Sequence, residues 1–325
     1  MPKTEGNYIG NRHSIIVTEN GNDDKNRTKK MKKTAFIAIV GRPNVGKSTL
    51  LNAIIGEKVA IVSKKPQTTR NRITGIYTEG EDQFVFLDTP GLHKPRTKLG
   101  DFMVKTTAQT LGGVDAAILV VEAREEVGDI EAQLISRFKA DGISAILVIN
   151  KTDTVRAANI AKTIQAYAEA FDFDAVIPIS AKSGKGVDIV ISECKKYLYE
   201  AEWLFSEDMI TDQPERKIAA EIIREKLLRS LDEEIPHGTA VTIEEWTEKR
   251  GVVSIRAEIY CEKASHKGII IGKRGALIKQ IGTHAREDIE KMLDARVFLD
   301  LYVRVKENWR ESDFNINNFG YTEEE

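Results

Sequence analysis

Cysteine is scarce in this chain. Cys194 and Cys261 are the only two in 325 residues. They lie far apart, and neither has metal-ligating neighbours at a suitable spacing, which excludes a disulfide framework or a zinc site and points to a reducing cytosol. Long apolar runs are also missing: none approaches the roughly 20 residues of a membrane span. The first thirty residues lack the apolar segment of a signal peptide. No charge excess stands out either, since the formal net charge is -2, so the whole-chain balance does not announce a nucleic-acid partner. His266 and His284 have no metal-ligating partner nearby and read as surface residues. The remainder is ordinary for a soluble globular protein, 41% hydrophobic and 30% charged, with length for two domains.

Residues 1–33 are polar, with eight Lys/Arg against four Asp/Glu. They offer too little apolar surface to offset ordering entropy, and a disordered tail is expected. Met31 directly precedes the first strand pattern and could be the working start.

The strongest motif is Gly41-Arg42-Pro43-Asn44-Val45-Gly46-Lys47-Ser48, which fits the phosphate-loop pattern G-x-x-x-x-G-K-[ST]. An apolar run, Ala35–Val40, leads in as a buried strand, and a helical pattern from Thr49 leads out. Strand, glycine turn and helix N-terminus aim backbone N–H groups at one anion. Lys47 adds charge for the outer phosphates, and the Ser48 hydroxyl can reach Mg²⁺. Further apolar runs, at residues 84–87, 116–121, 145–149 and 176–179, alternate with helical patterns near 129–140 and 160–171. That rhythm predicts a three-layer α/β domain with a mostly parallel sheet over residues 34–203, its ligand at the carboxyl ends of the strands.

Each of those ends carries a polar signature. Asp88-Thr89-Pro90-Gly91 supplies an aspartate for Mg²⁺ and an unhindered N–H for a γ-phosphate. Asn150-Lys151-Thr152-Asp153 names the base. The Asp153 carboxylate can accept from N1–H and the exocyclic amine of guanine, whereas adenine would present an acceptor and no amine. The Lys151 stem packs along the base, and Ala181 in Ser180-Ala181-Lys182 supplies a backbone N–H to the guanine oxygen. Asp153 could alternatively cap a helix, a role that leaves Asn150 unexplained. Between these motifs, Ser63–Arg70 is a polar, proline-bearing loop. A threonine in it can join the Mg²⁺ shell only while the γ-phosphate is present, which makes the loop an order–disorder switch.

This set resembles the translation-factor-related GTPases, and Gln67-Thr68-Thr69-Arg70 with Asp88-Thr89-Pro90-Gly91-Leu92 looks like the Era branch. The resemblance implies a switch formed by those residues, with Thr69 binding Mg²⁺ beside Ser48 and Asp88. Leu92 stands where Ras-type proteins carry a water-orienting glutamine, so slow intrinsic hydrolysis is expected. The resemblance also implies K⁺ beside the phosphates, held by Asn44.

A linker is expected at 204–214. Beyond it the order changes: a helix over 215–231, strands over 240–248 and 252–261, a short helix near 268–271, the turn Gly272-Lys273-Arg274-Gly275, a helix over 276–293 and a strand over 296–306. This order matches a type II KH domain, an α+β unit spanning 215–310, in which the G-x-x-G turn clamps the backbone of single-stranded nucleotides. From residue 263 to 310 there are eleven Lys/Arg against six Asp/Glu, a local excess suited to phosphates. Ile269, Ile270 and Ile271 are groove-lining candidates, unless one of them is core. Residues 311–325 read as an acidic tail.

One phosphate loop followed by a KH domain is the Era layout. It implies a monomer that binds GTP and GDP, the 3′ end of 16S rRNA and the 30S subunit during maturation. Cytoplasmic location with peripheral contact at the inner membrane face is implied as well. Two alternatives stay open: a metabolic phosphate-loop enzyme such as a kinase, and a GTPase whose KH-like unit binds only protein.

Overall fold

The structure is a computed structural model that describes residues 31–322 together with the backbone of Tyr8–Gly10. The elements run β1 (Tyr8–Gly10), β2 (Lys33–Val40), α1 (Lys47–Ile55), β3 (Ile73–Glu79), β4 (Asp82–Asp88), α2 (Lys98–Leu111), β5 (Ala116–Glu122), α3 (Asp129–Asp141), β6 (Ser144–Asn150), α4 (Ala157–Ala170), β7 (Ala175–Pro178), α5 (Val187–Cys194), β8 (Tyr199–Glu200) and β9 (Met209–Pro214). The second part comprises α6 (Glu215–Ser230), β10 (Ala240–Lys249), β11 (Val252–Cys261), α7 (Ala264–Ile271), α8 (Ala276–Leu293), β12 (Arg296–Val305) and α9 (Asp313–Asn318).

The first sheet has the order β3-β4-β2-β5-β6-β7, with β8 antiparallel to the start of β2. All pairings from β4 to β7 are parallel, and β3 runs antiparallel at the edge. Side chains on a strand alternate between faces, and the core divides accordingly. Ile37, Ile39, Ile118, Val120, Ile146 and Val148 pack on one face with Leu50 and Leu51 of α1 and Val190 of α5. Ala38, Val40, Leu119, Val121, Leu147 and Ile149 pack on the other with Leu134 and Phe138 of α3 and Tyr167 of α4. Burial on both faces explains the unbroken apolar runs in the sequence.

The second sheet has the order β10-β11-β12, with β10–β11 antiparallel and β11–β12 parallel. One face packs on α6 and α8 through Ile222, Ile223, Ile255, Ile259, Ile281 and Ile289.

Three expectations change. Residues 8–10 of the expected disordered tail form a strand on β9, and the rest of residues 1–30 lies outside the described residues, as do the last three acidic positions. The expected linker contains that same β9, and Thr211 in it donates to the Thr74 carbonyl of β3 at 2.7 Å. The C-terminal segment is folded onto the body: Trp309, Ile316 and Tyr321 are buried with Leu99 of α2 and Ala240 of β10. Few apolar residues suffice there because they are large, and aromatic side chains bury the most area per residue.

Candidate nucleotide cleft and RNA-binding turn

A cleft of about 830 Å³ opens at the carboxyl ends of the strands, lined by Asn44, Gly46, Lys47, Ser48, Thr49, Gln67, Thr68, Thr69, Gly91, Asn150, Lys151, Asp153 and Lys182. Motifs scattered over 139 residues of sequence thus line one surface, because every parallel strand delivers its end to the same edge of the sheet.

Gly46 caps α1 in a left-handed conformation, φ 102°. A Cβ there would lie 2.2 Å from Asn150 Nδ2, so the loop tolerates no side chain at this point. The Lys47 ammonium folds back on the loop, 3.2 Å from the Gly41 carbonyl and 2.9 Å from that of Arg42. Burial lowers its pKa to about 8, against the opposing pull of Asp88. Arg42 points away from the phosphate position and pairs with the fully buried Glu131 of α3.

The three expected metal ligands converge. Ser48 Oγ lies 2.8 Å from Thr69 Oγ1 and 2.6 Å from Asp88 Oδ2. Burial raises the Asp88 pKa to about 6, with Lys47 and the two hydroxyls pulling it partway back. The other Asp88 oxygen is buried without a hydrogen-bond partner. An under-satisfied buried carboxylate beside two hydroxyls suits a hard cation that takes oxygen ligands, as Mg²⁺ does. Thr89 is spent differently: its hydroxyl donates to the Ile39 carbonyl at 2.9 Å and fixes the segment to β2. The Pro90 carbonyl accepts from Thr107 of α2.

At the guanine end, Asn150 is a splint between two loops. Its Nδ2 donates to the Val45 carbonyl and its Oδ1 accepts from the Ala181 N–H, both at 2.9 Å. The Ala181 N–H expected at the guanine oxygen is the one that donates to Asn150 here. The same carboxamide therefore joins the phosphate loop to the Ser180–Lys182 loop. Lys151, in a left-handed conformation, donates to the Asn44 carbonyl at 2.6 Å and pairs with Glu122. Glu122 was not anticipated from sequence. Its only signal is its place at the end of β5, directly opposite Asn150 in the register. The nearby Ser180 hydroxyl, with Lys182 and Lys151, shifts the Asp153 carboxyl below its usual range, although Ser180 Oγ makes no hydrogen bond of good geometry. The Asp153 carboxyl is exposed at the mouth of the cleft.

The switch loop is also the seam between the two halves. The Thr68 carbonyl accepts from Arg224 of α6, and Arg70 is 1% exposed. Its guanidinium donates to the Thr239 carbonyl at 2.7 Å, to the His237 carbonyl at 2.8 Å and to the Tyr321 hydroxyl at 3.0 Å. Trp309 and Tyr321 present ring faces 5.6 Å away. Nearby, the buried Glu225 of α6 accepts from Lys58 at 2.7 Å and from the Val62 N–H at 3.0 Å.

In the second half, Gly272 (φ 73°) and Gly275 (φ 77°) flank an exposed Lys273 and Arg274, with Arg274 itself left-handed at φ 53°. A Cβ on Gly272 would lie 2.7 Å from that of Leu277, so the turn closes tightly onto α8. Of the three isoleucines, Ile269 is 49% exposed and Ile270 is 0% exposed in the core, with Ile271 between them. Consecutive helical residues point about 100° apart, so the groove can take Ile269 and part of Ile271, and Ile270 is withdrawn from it.

Comparison with known proteins gives the same order of two domains. A family model described as "50S ribosome-binding GTPase" matches residues 36–151, and a KH-domain model matches 234–310. The chain is 48% identical over 290 residues to GTPase Era of Ruminiclostridium cellulolyticum, covering 89% of this chain and 97% of that protein. It is 50% identical over 291 residues to GTPase Era of Alkaliphilus oremlandii, covering 89% and 99%. Among solved structures, Era in complex with MgGDPNP and nucleotides 1506–1542 of 16S ribosomal RNA superposes with a TM-score of 0.86 at 39% identity, covering 89% of this chain and 99% of that one. An Aquifex aeolicus Era variant bound to GDP and AlF4⁻ gives 0.85 at 39% identity with the same coverage. A phosphate-loop cleft joined to a KH turn, with this likeness over nearly the full length of its relatives, makes the chain a member of the Era family of GTPases.

Proposed function

We propose that this GTPase holds the 3′ end of 16S rRNA in its KH groove during maturation of the small ribosomal subunit, and that the γ-phosphate of GTP governs the grip. The observation that carries the reading is Arg70. It directly follows Thr69, the residue that meets Ser48 and Asp88, yet its side chain is buried among KH-side and C-terminal groups. A change in Thr69 that follows the terminal phosphate is therefore delivered one residue later to the second domain. The related Era that carries both MgGDPNP and 16S rRNA nucleotides supports the same pairing of ligands.

Ser48, Thr69 and Asp88 would hold Mg²⁺, which neutralises charge on the β- and γ-phosphates when bound. Asn44 would hold K⁺. Its backbone is left-handed and its amide nitrogen donates to the Lys64 carbonyl at 2.7 Å, which leaves the carboxamide oxygen for a cation beside the phosphates. Turnover equal in potassium and sodium would remove K⁺ from this reading. The working place is the cytoplasm. Contact with the membrane would be peripheral, since no helix among the described residues is long and apolar enough to cross one.

The kinase alternative gives no reason for an ionised Asp153 at the guanine position. The protein-only alternative gives none for two exposed cations inside a G-x-x-G turn. The coupling is tested by linkage. RNA and GTP must change each other's affinity by one factor, typically 5–150-fold. The affinity for a non-hydrolysable GTP analogue is measured with and without a 16S 3′-end oligonucleotide, for the natural chain and for Arg70→Ala. The natural chain is expected to show the linkage and Arg70→Ala to lose most of it. Equal affinities with and without RNA in the natural chain would refute the coupling.

A further inference from the structure

Leu92 follows Gly91 at the point where a water-orienting group is needed, and leucine offers neither a donor nor an acceptor. Two polar side chains meet at that end of the cleft instead. Gln67 stands two residues before Thr69, lines the cleft with Gly91, and has a left-handed backbone at φ 58°. Such a conformation in a non-glycine residue persists only where the surroundings enforce it, and functional sites are where these conformations concentrate. His93 stands two residues after Gly91. Gln67 Nε2 lies 2.9 Å from His93 Nε2, and His93 Nδ1 lies 3.1 Å from the Gly91 carbonyl oxygen.

One neutral tautomer satisfies both contacts. Nδ1–H donates to the Gly91 carbonyl, and the Nε2 lone pair accepts from the Gln67 amide. This arrangement occupies an N–H of Gln67, while its carboxamide oxygen accepts no hydrogen bond from any described residue. Thr69 and Gly91 mark the two sides of the γ-phosphate end, and the Gln67–His93 pair bridges them.

We propose that Gln67 orients the attacking water for GTP hydrolysis and that His93 is the positioning residue that fixes its carboxamide. The water oxygen bonds to the γ-phosphorus as the bond from that phosphorus to the β–γ bridging oxygen breaks. GDP leaves with the electron pair, and the water proton ends on the inorganic phosphate. Gln67 accepts a hydrogen bond throughout and no proton. The group thereby comes from the first switch segment, whereas a glutamine after Gly91 would have supplied it from the second. The inference rests on the hydrolysis reaction alone and is independent of the proposed RNA coupling.

The test is single-turnover hydrolysis at saturating GTP by the full chain with Mg²⁺ and K⁺ and without RNA. Binding of a fluorescent non-hydrolysable analogue is measured alongside. Misplacing a reacting group by about an ångström costs on the order of 100-fold. Gln67→Leu is therefore expected to slow hydrolysis about 100-fold and His93→Ala about tenfold, each with analogue affinity within about threefold. The double variant is expected to be no slower than Gln67→Leu, because His93 acts through Gln67. An unchanged rate in either single variant overturns the proposal. So does a rate loss matched by an equal loss of analogue affinity, or a double variant whose losses multiply.

Discussion

The nucleotide cleft and the KH turn both present glycine-rich turns suited to phosphate, yet they are built in opposite ways. In the cleft, most polar groups are occupied before a ligand arrives: Lys47 on loop carbonyls, Asn150 between two loops, Lys151 on Asn44 and Glu122. In the turn, the side chains of Lys273 and Arg274 are exposed and make no hydrogen bond or ion pair among the described residues, although the Lys273 carbonyl accepts from the Ala276 N–H. A pre-bonded site discriminates by geometry, because a wrong ligand leaves fixed polar groups unpaired. An open cationic turn attracts any phosphate backbone and gains affinity from charge. The cleft should therefore answer to single-atom changes, and the turn to ionic strength.

The sharpest break in that contrast is Asp153→Asn. The amide replaces one of the two acceptors for guanine with a donor and removes the charge. Charge-assisted hydrogen bonds contribute about 1.5–3 kcal/mol each, so GTP affinity should fall by about 100-fold or more, while a base bearing an oxygen in place of the exocyclic amine should gain. Isothermal titration with GTP and xanthosine triphosphate measures both. Retained GTP affinity would show that discrimination lies elsewhere in the cleft.

The contrast also explains which parts were legible in the sequence. The phosphate loop and Asn150–Asp153 are short segments with fixed internal spacing, so residue type and order suffice to identify them. The role of Asn150 was not legible, because Val45 and Ala181 reach it only through the sheet. Glu122 was overlooked for the same reason: an acidic residue after an apolar strand carries no local mark. Arg70 read as a loop residue because its partners lie 167 to 251 positions away. The edge strand β3 escaped notice because it starts directly after the switch loop and mixes glycine and threonine with its apolar residues, so no continuous run announces it. The C-terminal segment buries three large residues with no helical or strand period, and periodicity is what a sequence pattern registers. In the KH half the element order was readable, whereas the withdrawal of Ile270 needed the helix phase.

A second break acts on the cleft through protons. The Asp88 pKa is raised to about 6 by burial, and a metal ligand must give up its proton. The folded chain holds that proton more tightly than an unfolded one, so without ligand its stability falls as pH rises toward 6. Mg²⁺ dependence has the opposite sense. Above about pH 6 the apparent Mg²⁺ affinity of the GTP complex should be flat, and below it should fall about tenfold per unit. Magnesium titrations of bound fluorescent nucleotide between pH 5 and 8 check this. A flat profile would mean that Asp88 stays ionised and is not the titrating ligand.

The smallest effect belongs to the turn and tests the other half of the comparison. For single strands, each neutralised phosphate contributes about 0.7 to the slope of log affinity against log salt. If Lys273 and Arg274 each neutralise one phosphate, replacing both with alanine should reduce the slope by about 1.4. Between 50 and 200 mM salt the natural chain would then lose about sevenfold more affinity than the double variant. Fluorescence anisotropy with a 16S 3′-end oligonucleotide measures the slope. An unchanged slope with weaker binding would mean that the two side chains shape the turn and do not pair with phosphates. The turn would then resemble the cleft after all, with its selectivity resting on the close approach of Gly272 to Leu277.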